Sequence, residues 1–110
     1  MSEIEQLESQ MENNKRFVRN AEKVHRLMNN NDFKEIILEG FCTEECARFA
    51  QVSTDPRMTK DDRADALGNA QASGYLTRFL HVILRQGADA DTTNRDIEQA
   101  IDELRAEGAD

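Results

Sequence analysis

Along most of the chain, apolar side chains recur every three or four residues, and nowhere do they alternate strictly with polar ones. That period belongs to helices that pack by one face. The expected fold class is therefore all-α, with about five helices: a long N-terminal amphipathic helix with coiled-coil character, packed on a small helical bundle. The first segment carries Ile4, Leu7, Met11, Asn14, Val18, Ala21, His25 and Met28 at alternating spacings of three and four. Such a heptad stripe lets one helix lie along another. Phe17 and Val24 widen the stripe in its second half. A narrow stripe suits a two-helix contact and a wide one suits a globular core, so the first half is expected to project or self-pair while residues 17–28 join the body. Asn14 would sit inside the seam, where it costs stability and fixes register.

Small polar residues and glycines mark where helices should stop and start. Asn29, Asn30 and Asn31 end the first helix, and Asp32 with Glu35 forms a capping-box arrangement for the next. That short helix carries Phe33, Ile36, Ile37 and Leu38, and Gly40 is placed to end it in a left-handed conformation. Thr43 is expected to cap a third helix, with Glu44 and Glu45 in its first turn and Cys46, Phe49, Ala50 and Val52 on its inner face. Pro56, the sole proline, breaks the chain near Ser53 to Met58, and Thr59 with Asp62 makes another cap. A fourth helix should run from Lys60 to about Gln86, with Leu67, Tyr75, Phe79 and Leu80 among its apolar content. Its small-residue stretch "ADALGNAQASG" offers a helix-crossing point, and Gly87 ends it. A last helix from about Asp91 to Arg105 shows Ile97, Ala100, Ile101 and Leu104 on one face. The organisation expected is one domain, with residues 1–28 as the long helix and possible oligomerisation element and residues 29–110 as the helical body.

Charge adds direction to this picture. The chain has 110 residues and a net charge of -8, with 38% hydrophobic residues and no Trp. An acidic surface argues against nucleic acid or an anionic membrane as the main partner. The first residues lack a secretion signal and no apolar run approaches 18 residues, so neither export nor membrane spanning is expected. Glu5, Glu8 and Glu12 precede Lys15, Arg16, Arg19 and Lys23, so the sign reverses midway along one helix. These residues are the expected charge-pairing set, orienting an antiparallel partner. The acidic stretch from Asp89 to Asp110 is a second candidate to face the basic half.

Chemistry-bearing residues are sparse. Cys42 and Cys46 are four apart, but a cap at Thr43 would leave Cys42 outside the helix, and only His25 and His81 could supply nitrogen to a metal. Both thiols are read as packed side chains, with no metal and no cofactor expected. Asp89, Asp91 and Asn94 cluster as in a calcium loop but lack its glycine and terminal glutamate, and read as a capped helix start. Paired acids such as Asp61 and Asp62 fall in first helical turns, where they complement the helix dipole. No nucleophile elbow or phosphate-cradling loop is present, so no catalytic residues are assigned and an enzyme is not expected.

The run "DFKEIILEGFCTEECARFAQVSTDPRM" and the later "LTRFLHVILRQGADADTTNRDIEQAIDELR" resemble small helical proteins encoded by tailed bacteriophages near their virion structural genes. Phe33, Lys34, Ile37, Leu38, Gly40 and Phe41 carry the resemblance, with Asp55 and Pro56 at the break; Cys42 and Cys46 fall outside the pattern. The resemblance implies a phage virion structural or assembly protein, located in the virion or the host cytoplasm. It would act by helix-mediated interaction with itself as a homo-oligomer, with other virion proteins, or with both. Its expected interface is Ile4, Leu7, Met11, Asn14 and Val18, an exposed apolar edge seeking cover. An acidic phage inhibitor of a host nucleic-acid-binding machine, a polymerase or a defence nuclease, is the alternative, suggested by the acidic stretch from Asp89.

Overall fold

The computed structural model describes residues 2–108. Among the described residues all regular structure is helical, in three helices and not five. Helix α1 is Glu3–Asn29, α2 is an unbroken helical run over residues 31–53, and α3 is Lys60–Ala106.

Local chemistry sets the ends of α1. The Glu5 N–H donates to Ser2 Oγ at 3.1 Å, and Glu3 and Glu5 sit in the first turn beside the positive end of the dipole. At the other end Asn30 leaves helical angles, with φ -75° and ψ 125°, and its side chain accepts the Phe33 N–H at 3.0 Å. Asn30 is thus the cap of α2, and the expected box of Asp32 with Glu35 is not used.

Within α2, residues Asn31–Phe33 and Cys46–Ser53 are α-helical and Lys34–Glu45 are wound as a π-helix. In that winding each turn reaches back five residues. Two side-chain positions answer to the change. A Cβ on Gly40 would meet the Glu35 carbonyl oxygen, five residues earlier, at 3.1 Å, and Thr43 Oγ1 donates to the Leu38 carbonyl, also five earlier, at 2.9 Å. Gly40 therefore continues a helix where an end was expected; positive φ among the described residues is found at Gly108 alone. Thr43 likewise lies inside the helix and caps nothing.

The break at Pro56 falls where the sequence places it. Met58 N–H donates to the Asp55 carbonyl at 3.1 Å, closing a turn with proline at its second position. Asp55 Oδ1 accepts the Arg57 N–H at 2.9 Å, and Oδ2 accepts the Arg57 guanidinium at 2.9 Å. The guanidinium first, and then that N–H, hold the Asp55 carboxyl below its ordinary range. Thr59 Oγ1 accepts the Asp62 N–H at 3.1 Å and starts α3.

Helix α3 runs straight through Gly87 and the Asp89–Asn94 stretch, where an end and a capped start were expected. Its inward positions repeat every seven residues: Ala66, Ser73, Leu80, Gly87 and Ile101 are buried and Asn94 is half-buried. Contacts group the chain into two units, Met1–Val24 with Val82–Asp110 and, separately, His25–His81. This division differs from the expected long helix plus body.

In the first unit α1 and the end of α3 run antiparallel. Ile4 meets Ile97 and Ile101, Asn14 meets Asn94, and Ala21 meets Gly87, so position falls along α3 as it rises along α1. In the second unit α2 folds back on the start of α3 through the Pro56 turn. Cys46 Sγ–H donates to the Ala70 carbonyl at 3.7 Å, and Ala66, Ser73 and Leu80 form the buried line.

Candidate functional site

The seam of the first unit takes up the stripe that was expected to seek a partner. Ile4 is only 5% exposed, and Leu7, Met11 and Leu104 pack on its cluster with Ile97 and Ile101. Asn14 Nδ2 donates to Asn94 Oδ1 at 3.0 Å, and Asn94 Nδ2 donates to the Met11 carbonyl at 3.2 Å. Val18 is half-buried in a groove beside Asn94. The expectation of an exposed edge at Ile4, Leu7 and Met11 is therefore corrected: the C-terminal part of the same chain covers it. The reason is register. Two antiparallel stripes, one from each end of the chain, match in length and polarity, and closing them intramolecularly avoids the entropy cost of association.

The charge-pairing set is used sparingly. Glu8 bonds Arg105 at 3.1 Å across the seam, and Lys15 bonds Glu12 at 3.2 Å along α1. Among the described residues Glu5, Arg16, Arg19 and Lys23 make no ion pair, and Arg16 instead lies 5.0 Å from the Phe17 ring centroid. Antiparallel pairing sets Glu8 in one groove with Glu98, Asp102 and Arg105, acid against acid with one cation between. Further along, Lys15 and Arg19 line one groove with Asp91 and Glu98. Arg95 pairs with Asp91 within α3, which raises the Arg95 pKa above its usual range.

Cys42 and Cys46 are half-buried and unlinked, and His25 and His81 are exposed. His25 thus leaves the stripe on which it was expected, its place being taken by buried Val24. Among the described residues no group of three or more His, Cys, Asp or Glu side chains is gathered as a metal site. None of the helices there is long and apolar enough to cross a membrane.

A surface missed in the sequence lies in the second unit. Leu67, Tyr75 and Phe79 are 49%, 67% and 61% exposed. At 3.6 residues per turn Tyr75 and Phe79 share a face of α3 with Gly68 and Ala72, turned away from the buried line of Ala66, Ser73 and Leu80, while Leu67 and Gln71 flank it. The large side chains read as core because of their apolar area; the inward face is instead made mostly of small residues, which bring the helices close. The seven-residue repeat of Ala66, Ser73, Leu80, Gly87, Asn94 and Ile101 is the signal that would have separated the two faces.

Compared with known proteins, the chain matches no family model, no curated protein and no solved structure.

Proposed function

We propose that this chain is a non-enzymatic helical protein that works by helix-mediated protein–protein interaction, as a virion structural or assembly component of a tailed phage. The observation that carries the interaction reading is the solvent exposure of Leu67, Tyr75 and Phe79 on one stretch of α3. Large apolar side chains gathered on an exposed helix mark a contact surface, and aromatic anchors dominate the energy of such contacts. The seam is already filled by the chain itself, so the interface moves from Ile4, Leu7 and Met11 to this face. The phage context rests on the resemblance of residues 32–58 and 76–105. Virions of the encoding phage, purified on a density gradient, are expected to contain the chain by mass spectrometry. The double substitution Tyr75→Glu with Phe79→Glu is expected to remove it from particles or stall their assembly, while the purified variant keeps its helical circular dichroism. Virions without the chain, together with normal particle yield from the double variant, overturn the reading.

A second reading draws on the groove that joins Glu8, Glu98 and Asp102: an acidic inhibitor that occupies a nucleic-acid-binding surface on a host protein. Asp102→Lys with Glu98→Lys would abolish such inhibition and leave particle assembly unchanged.

A further inference from the structure

The exposed face of α3 is complementary to itself when reversed. Read forward it is Gly68, Ala72, Tyr75, Phe79; read backward it sets Phe79 against Gly68 and Tyr75 against Ala72. Each bulky ring then meets a position with almost no side chain. All four positions are exposed, and the space above Gly68 is open, since a Cβ there would have nothing within 4 Å. Gly68 with Ala72, and Tyr75 with Phe79, are each four apart, and rows of that spacing interdigitate when two helices cross. Charge follows the same reversal. Exposed Asp61 and Asp65 precede the small pair on this face, with Lys60 and Arg63 turned to another side, and no acid occurs between Asp65 and Asp89. Turning one copy end for end therefore sets Asp61 and Asp65 of one copy beside the acid-free stretch of the other, whereas a parallel pairing would stack acid on acid.

From this we infer that the occupant of the face is a second copy of the chain, docked antiparallel across a two-fold axis that passes between Ala72 and Tyr75. The inference rests on the interaction reading above and names its partner. A two-fold contact of this kind uses the same patch on both copies, so every pairing occurs twice. Tyr75 of each copy seats over Ala72 of the other, and Phe79 over Gly68.

Sedimentation equilibrium on the full chain, from low micromolar to near-millimolar concentration, tests this. The wild type is expected to dimerise. Ala72→Glu and Tyr75→Lys are each expected to weaken the dimer by at least ~30-fold, the scale of losing a central anchor. Circular dichroism of both variants should remain that of the wild type, as both positions face solvent. Mixing the two variants gives the sharper result. In the mixed pair one contact sets the carboxylate of Ala72→Glu against the ammonium of Tyr75→Lys and the other keeps the native Tyr75 over Ala72, so the mixture should associate several-fold more tightly than either variant alone. A wild type that stays monomeric throughout, a dimer indifferent to Ala72→Glu, or a mixture no tighter than its components overturns the inference. A monomeric wild type whose Tyr75→Glu, Phe79→Glu variant is still lost from virions would remove the second copy and leave the interaction reading standing.

Discussion

A methyl group added at Gly87 would stand 2.2 Å from the Ala21 Cβ and 3.0 Å from the Phe17 carbonyl oxygen, and both neighbours are fixed to the backbone of α1. Neither can swing away as a long side chain would, so the helices must separate. Alanine gains roughly 1 kcal/mol over glycine in a helix interior, yet overpacking of this kind costs about 1 to 3 kcal/mol. Gly87→Ala is therefore expected to lower the urea-unfolding free energy despite its better helix propensity. Gly74→Ala supplies the contrast, because a Cβ there meets nothing within 4 Å, and should raise stability by about 0.5 to 1 kcal/mol. Adding Ala21→Gly to Gly87→Ala should recover part of the loss. If Gly87→Ala stabilised the protein as Gly74→Ala does, the close crossing of α1 and α3 would be wrong.

At the scale of the helix pair, the seam holds one polar layer among apolar ones. Asn14 and Asn94 bond each other at 3.0 Å, between the Ile4 cluster on one side and Ala21 with Gly87 on the other. An amide pair in a seam favours the register in which the two amides meet, and removing one member leaves the other without its partner. Asn14→Leu and Asn94→Leu are each expected to cost about 1 kcal/mol, while the double Leu variant should be more stable than the sum of the two losses implies. Additive losses in urea unfolding would show that the amides do not act as a pair. The stripe of α1 was legible in the sequence, and so were the breaks at Asn30 and Pro56, because local chemistry decides them: side-chain caps and a proline. The continuity of α3 was not, because glycine is both a helix terminator and the residue that admits a second backbone, and only the packing of Ala21 distinguishes the two uses. The same ambiguity hid the exposed face. Tyr75 and Phe79 carry more apolar surface than Ala66 and Ser73, so side-chain size pointed outward residues inward. The continuous winding of α2 through Gly40 and Thr43 left no signal in the periodicity, since reach-back by five has no repeat of its own over one short stretch.

Over the whole chain the charge of -8 is unevenly held. Residues 1–24 and 82–110, the first unit, contain thirteen acids against seven basic residues, which is six of the eight net charges. The antiparallel register brings Glu8, Glu98 and Asp102 to one groove with a single guanidinium, Arg105. Two effects then oppose each other as salt is added. Screening weakens the Glu8–Arg105 pair, but its side chains are 52% and 59% exposed, and such pairs contribute at most about 1 kcal/mol. Screening also relieves the repulsion among the acids in excess over the seven basic residues, which acts over longer distances. The Debye length falls from about 30 Å at 0.01 M to about 8 Å at 0.15 M, so the longer-range term is lost first. The melting temperature is therefore expected to rise by several degrees over that range of sodium chloride at neutral pH. Measuring Ala72→Glu alongside the wild type separates this effect from any contribution of self-association, because the same rise should be seen in both. A fall in melting temperature with salt would mean that the ion pairs outweigh the repulsion, and that the acidic groove is neutralised more completely than its one arginine allows.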